Sequence, residues 1–264
     1  MTPAQMTEAL NTCFEGYLVP FVITPDYFER RFRPESLDSL SSRIWRVDGV
    51  TAAIVLIARR GWTARVAAMA VAPPFRRLGL GFRAMKSAVE DATQRGDRRL
   101  VLEVIEQNEA AIRLYESVGM SRCRRLVGYR READSGKRTG IVEVDPLQAA
   151  RALSQFVQDD LIWDLTPETL SSYAAPTKAY TIDERGYVIA TGREAGVVVW
   201  SLFVDPGHRR EGLGRRLIDG LAETMGGKPL LTPVAVPDTV APGFFRACGF
   251  TENPISQFEM VLGL

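Results

Sequence analysis

The sequence contains few of the residues that build metal centres and disulfide frameworks. Its 264 residues include one histidine, His208, and three widely spaced cysteines, Cys13, Cys123 and Cys248, without a CxxC motif. A histidine-rich zinc site is therefore excluded, and no metal is expected. Disulfides are not expected either, so a cytoplasmic location is predicted. Cys123 and Cys248 stand in apolar surroundings and are expected to be small core residues.

Long hydrophobic runs are missing as well. The longest, such as residues 52–58 and 197–200, are far shorter than the roughly 20 apolar residues that a membrane-spanning helix needs. The N-terminal segment lacks a basic region followed by an apolar core, so neither a secretory signal nor a membrane partner is predicted. A composition of 46% hydrophobic and 25% charged residues is typical of a globular protein, and the length suggests about two domains.

A strong charge of one sign is also absent, because the formal net charge is only +1. Residues 1–140 carry 23 basic and 16 acidic side chains, a net of +7, and residues 141–264 carry 10 and 16, a net of −6. No helix has a continuous basic stripe, so nucleic acid is not a predicted partner. The opposite charges favour two domains that dock within the chain, and they leave the oligomeric state open.

What the sequence does contain is an internal repeat. Residues 69–81, MAVAPPFRRLGLG, match residues 202–214, LFVDPGHRREGLG, at an offset of 133. A second match, between IRLYESVGM at 112–120 and PGFFRACGF at 242–250, has an offset of 130. A contraction of three residues must lie between the two matches, and the connection near Gly226 is the expected place.

The repeat predicts two copies of one α/β fold. The polar, glycine-containing stretch around residues 133–146 is the expected boundary, which gives domains 1–138 and 139–264. Antiparallel hairpins followed by a strand–helix–strand–helix unit predict a mixed, largely antiparallel twisted sheet flanked by helices in each copy.

Local signals place individual elements. Asp48-Gly49 is a strong hairpin signal between two apolar strands. Asn108 is a predicted N-cap for the helix that ends before Gly119. Hydrophobic periodicity further predicts a helix over 79–94. Two strands are expected within 121–131, and the repeat predicts second-copy helices over 212–225 and 239–248.

Gly79 and Gly81 stand where the helix over 79–94 begins. The N–H groups in the first turn of a helix have no partner within that helix, and glycines leave them accessible to an anion. Arg76 and Arg77 add positive charge beside them. The loop therefore predicts a phosphate or pyrophosphate site.

A dinucleotide-binding loop is an alternative interpretation. Gly79-x-Gly81-x-x-Ala84 fits the glycine fingerprint, and the acidic residue Glu103 follows about 20 residues later. A Rossmann loop, however, directly follows the first strand of its sheet, whereas at least three strands precede this loop. A nicotinamide-dependent oxidoreductase is therefore disfavoured.

The loop and the segment that follows it share a pattern with a known family. Residues 76–81, RRLGLG, match R/Q-x-x-G-x-G/A, and residues 100–120, LVLEVIEQNEAAIRLYESVGM, add a strand, an asparagine, a tyrosine and a glycine. This joint pattern resembles the GNAT superfamily of acyl-CoA N-acyltransferases. The resemblance covers both copies, and the first copy is most similar to protein alanine N-acetyltransferases.

The resemblance implies acetyl-CoA as co-substrate and a role for each matched residue. The strand backbone at residues 69–71 would hold the pantetheine arm and the thioester carbonyl, and the N–H groups of residues 77–82 would cradle the pyrophosphate. Asn108 would bind pantetheine, and Tyr115 would lie near the sulfur. The implied cofactor-binding residues are Met69, Ala70, Val71, Arg76, Arg77, Leu78, Gly79, Leu80, Gly81, Phe82, Asn108 and Tyr115.

Amine attack on a thioester needs a base, N–H donors for the oxyanion and a proton for the leaving thiolate. Glu103 alternates with the apolar Leu102 and Val104, so its side chain leaves one face of its strand. We expect Glu103 to be the base, directly or through water. Tyr115 is expected to be the acid, and the Val71 N–H an oxyanion donor.

Structural roles for the same residues are kept as alternatives. Glu103 could form an ion pair with an arginine such as Arg98 or Arg124, and Tyr115 could be a core aromatic residue. His208 adjoins the second glycine loop and is expected to be a solvent-exposed loop residue rather than a catalytic one.

The second copy departs from the pattern. It keeps the strand end and loop, whose candidate cofactor-binding residues are Val204, Arg209, Arg210, Gly212 and Gly214. Asp238 and Phe245, however, stand at the positions of the asparagine and the tyrosine, and Thr232 or Pro233 at that of the glutamate. Phenylalanine cannot protonate a thiolate. The first copy is therefore predicted to be catalytic, and the second to be a scaffold or a cofactor-binding relic.

The predicted function is an acetyl-CoA-dependent N-acetyltransferase that acts by direct transfer in a ternary complex. The acceptor is a primary amine, either a small molecule or a peptide N-terminus. A non-catalytic acyl-CoA-binding or regulatory module is the alternative from another class. The residues expected to line the acceptor site are Tyr17, Phe21, Tyr27 and Tyr129.

Overall fold

The computed structural model of the protein describes residues 1–156 and 160–264. The chain forms two compact units. Unit one contains Met1–Arg124 together with Phe258–Leu264, and unit two contains Arg125–Gln257. The units do not divide at the boundary expected after residue 138. Unit two begins earlier, at Arg125, and unit one also includes the C-terminal segment Phe258–Leu264.

The elements of the first half follow the predicted order closely. They are α1 (Pro3–Cys13), α2 (Pro25–Phe32), β1 (Leu37–Val47), β2 (Val50–Arg60), β3 (Thr63–Val71), α3 (Leu80–Gln94), β4 (Arg99–Ile105), α4 (Glu109–Ser117) and β5 (Ser121–Arg131). The expectation of two strands within residues 121–131 is wrong, because these eleven residues form one continuous strand, β5.

The elements of the second half repeat this order, with β6 and β11 as additional strands. They are β6 (Val142–Val144), α5 (Pro146–Phe156), α6 (Pro167–Leu170), β7 (Thr177–Ile182), β8 (Gly186–Arg193), β9 (Gly196–Val204), α7 (Leu213–Thr224), β10 (Leu230–Leu231), β11 (Val236–Pro237), α8 (Pro242–Ala247) and β12 (Thr251–Gly263). α3 has 15 residues and α7 has 12, so the contraction of three residues lies in the helix itself.

The sheet of unit one has the order β1-β2-β3-β4, followed by the end of β12. β1, β2 and β3 are antiparallel, and β3 and β4 are parallel. Asp48 and Gly49 both have positive φ, 49° and 81°, which is the turn that the hairpin signal predicts. β2 is apolar over residues 52–58 because both of its faces are buried there: Ile54 packs toward α1 and α2, and Val55 toward α3.

The sheet of unit two has the order β5-β10-β9-β8-β7-β6. Its neighbouring strands are antiparallel except for the parallel pair β9 and β10. One face packs against α7, and the other against α5 and α6. The predicted fold class, a mixed, largely antiparallel sheet flanked by helices, is thus confirmed in both units.

A β-bulge occurs at the same place in both copies. The pairing of β2 with β3 passes from Leu56–Ala68 to Ile57–Val66, which leaves Ala67 as the extra residue. The corresponding shift between β8 and β9 leaves Trp200 as the extra residue. Bulges turn the strand and change the direction of its backbone groups, and they are frequent beside active sites. The offset of 133 between these two positions is that of the first sequence match.

The polar stretch expected as a domain boundary lies against α7 in unit two. The Lys137 N–H donates to the Asp219 carbonyl at 3.1 Å, and the Thr139 hydroxyl donates to the Arg216 carbonyl at 2.8 Å. Its glycine and polar residues therefore allow a close approach to the helix backbone rather than forming a loose linker.

The cysteines differ in accessibility. Cys248 is buried, as expected, but the expectation for Cys123 is wrong, because it is exposed on β5, whereas Cys13 is buried. Burial raises the pKa of Cys13 to about 11 and also raises the pKa of Cys248. Within the described residues, no group of histidine, cysteine, aspartate and glutamate side chains could hold a metal ion.

We therefore expect one fast-reacting thiol in the native protein. At about pH 8, a colorimetric disulfide reagent should label Cys123 rapidly and the two buried thiols only after denaturation, because the thiolate is the reactive form. Cys123→Ser should remove the fast phase. Rapid labelling of Cys13 or Cys248 in the native protein would contradict the burial described above.

Candidate active site

β3 and β4 separate partway along their length. Their pairing runs from Thr63–Arg99 to Arg65–Val101, whereas β3 continues to pair with β2 as far as Val71. Within the described residues, the edge of β3 that faces away from β2 therefore no longer pairs with β4 from residue 66 onward. This opening is what a ligand inserted between two strands requires.

The backbone of Val71 points toward that opening. The Ala72 N–H donates to the Ala52 carbonyl of β2 at 2.9 Å. Successive residues of a strand direct their N–H and C=O groups to opposite edges, so Val71 faces away from β2. Consistent with this, the Val71 carbonyl accepts a hydrogen bond from Arg76 Nε at 2.9 Å. The Val71 N–H can therefore act as a donor at the opening.

The glycine loop has the same conformation in both copies. After a short 3-10 turn, Arg77 has a φ of 61° and Gly79, the N-cap of α3, a φ of 77°. In the second copy, Arg210 has a φ of 70° and Gly212, the N-cap of α7, a φ of 83°. Such left-handed residues before a helix gather backbone N–H groups into a concave anion-binding surface.

The two loop glycines of the first copy serve different purposes. A Cβ atom on Gly79 would meet nothing within 4 Å, so glycine is needed there for its positive φ. A Cβ atom on Gly81 would lie 3.3 Å from Leu114 Cδ2 and 3.4 Å from Met69 Cε. Gly81 therefore has a packing role, because it allows α3 to lie close to α4 and β3.

Arg76 holds the loop to the end of α1. Its Nη2 donates to the carbonyls of Cys13 at 3.2 Å and Glu15 at 2.5 Å, in addition to the bond from Nε to Val71. Its guanidinium therefore binds three carbonyl groups and links the end of β3 to the end of α1. Arg77, one residue later, is exposed and is the arginine better placed to meet a phosphate.

Asn108 and Tyr115 both belong to the α4 region, Asn108 at its start and Tyr115 seven residues later. Asn108 is the N-cap, and its Oδ1 accepts the Ala111 N–H at 3.2 Å. Tyr115 is buried among side chains of α3, α4 and β4, and burial raises its pKa, with a further contribution from the nearby Tyr17. The phenol therefore stays protonated and is a hydrogen-bond donor throughout the physiological pH range.

Tyr17 is a member of this group that the motif did not include. It follows α1, and its ring packs edge-on against Phe14 with centroids 5.0 Å apart. The side chain of Asn108 lies near enough to the phenol to oppose part of the effect of burial on its pKa. Burial raises the pKa of Tyr17. A distance of about 90 residues in sequence separates Tyr17 from Asn108, so only the fold could place them together.

The other residues expected to line the acceptor site are dispersed. Phe21 packs against Phe14 with ring centroids 4.6 Å apart, in the same segment as Tyr17. Tyr27 is exposed on α2. Tyr129 belongs to the core of unit two.

Glu103 forms a buried ion pair, but with neither of the arginines considered from the sequence. Its Oε2 accepts hydrogen bonds from Nε and Nη2 of Arg65 at 2.8 and 2.7 Å. Arg98 instead stacks on Trp62, and Arg124 pairs with Glu259. The true partner was missed because the pairing of two parallel strands depends on their register.

The second copy differs in the region that corresponds to the asparagine and the tyrosine. Phe245 stacks on Tyr129 with ring centroids 4.0 Å apart and an interplanar angle of 7°. Asp238 is not the N-cap of α8, which begins four residues later behind Ala241, and its N–H donates to the Arg125 carbonyl. Thr232 accepts the Tyr129 N–H at 2.9 Å and so has a structural role.

His208 is only partly exposed, and its Nδ1 lies 3.4 Å from a carboxylate oxygen of Glu211 in the same loop. It is therefore a surface residue of the second glycine loop, as the sequence predicts.

Comparison with known families explains the shared geometry of the two copies. The Acetyltransferase (GNAT) family matches residues 4–120, and an Acetyltransferase (GNAT) domain matches residues 177–252. The chain belongs to the GNAT family. GNAT acetyltransferases use acyl-CoA and act on an acceptor substrate, and this GNAT chain carries two such domains in tandem.

Solved structures of other GNAT proteins have the same fold over the whole chain. A GCN5-related N-acetyltransferase from Sphaerobacter thermophilus is 16% identical, with a TM-score of 0.71 over 100% of this chain and 94% of that one. A putative acetyltransferase from Pyrococcus horikoshii is 16% identical, with a TM-score of 0.68 over 100% and 88%. A tandem GNAT protein from the clavulanic acid biosynthesis pathway is 18% identical, with a TM-score of 0.67 over 99% and 94%.

Over the part of the chain that the structure describes, no helix combines the length and the apolar character needed to cross a membrane.

Proposed function

We propose that this protein is an acetyl-CoA-dependent N-acetyltransferase whose N-terminal GNAT domain, within residues 1–138, performs the chemistry in the cytoplasm. The observation that carries the proposal is the asymmetry between the copies. Both have the bulge and the glycine loop, but only the first has a capping asparagine and a tyrosine on the following helix. In the second, Phe245 is stacked on Tyr129.

The residues of the first copy fit acetyl-CoA. Gly79 and Arg77 have the positive φ values that present N–H groups to a pyrophosphate, and the exposed guanidinium of Arg77 complements its charge. The open edge of β3 offers the Val71 N–H to a thioester carbonyl. The thioester supplies an activated acetyl group when bound. The base, the N–H donors for the oxyanion and the proton for the leaving thiolate must come from residues of this chain.

The acceptor that we propose is a primary amine, on a small molecule or at a peptide N-terminus. An amine must lose a proton during attack, and Glu103 is the proposed base, either directly or through water. The Tyr115 phenol is proposed to donate to the departing sulfur. Because burial raises its pKa, it serves as a hydrogen-bond donor rather than as a group that ionises readily.

A non-catalytic acyl-CoA-binding module is the second candidate. One observation favours it: Glu103 is engaged by Arg65, and a carboxylate paired with a guanidinium is a weaker base. In that case the protein would bind acetyl-CoA without releasing CoA in the presence of amines.

Two measurements separate these functions. Calorimetric titration with acetyl-CoA measures affinity and the number of sites, and a thiol-release assay over a panel of primary amines and short peptides measures turnover. We expect one or two sites and amine-dependent release of CoA. Binding without release for any amine would support the non-catalytic module, and absence of binding would refute both.

A further inference from the structure

Three charged side chains of unit one form a buried chain of ion pairs. Arg65 donates from Nη1 to Glu35 Oε2 at 2.5 Å, and from Nε and Nη2 to Glu103 Oε2 at 2.8 and 2.7 Å. The side chains of Arg65, Glu35 and Glu103 are 5%, 0% and 9% exposed. Burial weakens screening by water, so the charge of each group acts strongly on the next.

The fold places these residues together from three parts of the sequence. In the parallel pairing of β3 and β4, Arg65 lies beside Val101, so Glu103, two residues further along β4, projects from the same face. Glu35 comes from the segment between α2 and β1 and approaches this face. Arg31 of α2 pairs with Glu35 in turn, so the chain of four groups has no net charge.

We propose that Glu35 is a positioning residue that acts through Arg65 to set the proton affinity of the Glu103 carboxylate. The coupling itself follows from the contacts above, while its effect on turnover rests on the proposed role of Glu103 as the base. Arg65 of β3 contacts Glu103 directly, Glu35 before β1 is linked to it through Arg65, and Arg31 of α2 is linked through Glu35.

The direction of the effect follows from the signs of the charges. Arg65 alone would favour the ionised form of Glu103 and make it a poor proton acceptor. Glu35 neutralises part of the Arg65 charge and adds a second negative charge at longer range, and both effects make Glu103 a stronger base. A proton taken from the attacking amine can then be accepted by Glu103 and passed to solvent.

The test measures the titration of Glu103 directly and needs no turnover. The protein is labelled with ¹³C at the glutamate side-chain carboxyl carbons, and the Glu103 signal is assigned from its loss in Glu103→Gln. Relative to wild type, we expect Glu35→Gln to lower the Glu103 titration midpoint by about one pH unit and Arg65→Met to raise it by about one or more. Glu116→Gln removes an exposed partner of Arg122 and is the matched control without effect.

Opposite shifts in the two variants support the proposal, and an unchanged midpoint in Glu35→Gln overturns it. Glu35→Gln alone is decisive if Arg65→Met does not fold, because it leaves the Arg65–Glu103 pair intact. The acidic limb of kcat/KM against pH is expected to move with the midpoint. If the Glu103 titration midpoint moves and the acidic limb of kcat/KM does not, the coupling is supported and the proposed role of Glu103 as the base is refuted.

Discussion

Replacing Gly79 by glutamate is expected to weaken acetyl-CoA binding by about 10²- to 10³-fold. A residue with a side chain at a φ of 77° is strained by roughly 1–2 kcal/mol, which disturbs the start of α3. The new carboxylate also stands where a pyrophosphate is proposed to lie, and like charges in close contact cost several kcal/mol. Calorimetric titration of Gly79→Glu measures the loss directly.

Gly49→Glu is the matched control for this experiment. Gly49 has a similar φ of 81° and, like Gly79, open space around its Cβ direction, but it lies in the β1–β2 turn. It should carry a comparable strain without weakening acetyl-CoA binding. Gly212→Glu makes the same change in the second copy and shows whether that copy holds a second site. Normal affinity in Gly79→Glu would contradict the proposed position of the pyrophosphate.

Replacing Tyr115 by phenylalanine is expected to lower kcat by at least about 10²-fold while leaving the affinity for acetyl-CoA nearly unchanged. The ring fills the same space among α3, α4 and β4, and only the phenol oxygen is lost. Steady-state kinetics with the best amine of the panel, together with calorimetry, separates the two effects.

Tyr187→Phe is the control, because Tyr187 is a buried tyrosine in the core of unit two. Its kcat should match that of the wild type. The pH profile gives an independent check: since burial raises the pKa of Tyr115, the basic limb of wild-type kcat should not report its ionisation below about pH 10. Full activity in Tyr115→Phe would refute its role as proton donor.

Local signals in the sequence were enough for most of the fold. The turn at Asp48-Gly49, the cap at Asn108 and the two glycine loops each depend on residues close in sequence, and the structure has all four. The internal repeat extended these predictions to the second copy. The repeat did not reveal that the contraction of three residues lies within α7, because a shortened helix and a shortened connection give the same change of offset.

Features that depend on distant residues were not accessible in this way. The pairing of Glu103 with Arg65 follows from strand register, and the approach of Tyr17 to Asn108 from the packing of the segment after α1. The bulges at Ala67 and Trp200 carry no common residue type that could have signalled them. The motifs therefore predict a candidate site but not the contacts that its residues make with distant parts of the chain.

The assignment of Phe258–Leu264 to unit one has a consequence for the order in which the protein can fold. Met260 is fully buried in the same core as Tyr115, and the Leu264 N–H donates to the Arg98 carbonyl. On the ribosome, residues 1–124 of unit one emerge before unit two, yet unit one lacks this strand until all of unit two has been synthesised. The domain that is made first is therefore completed last, and a nascent chain released early would carry a glycine loop without a finished core behind it.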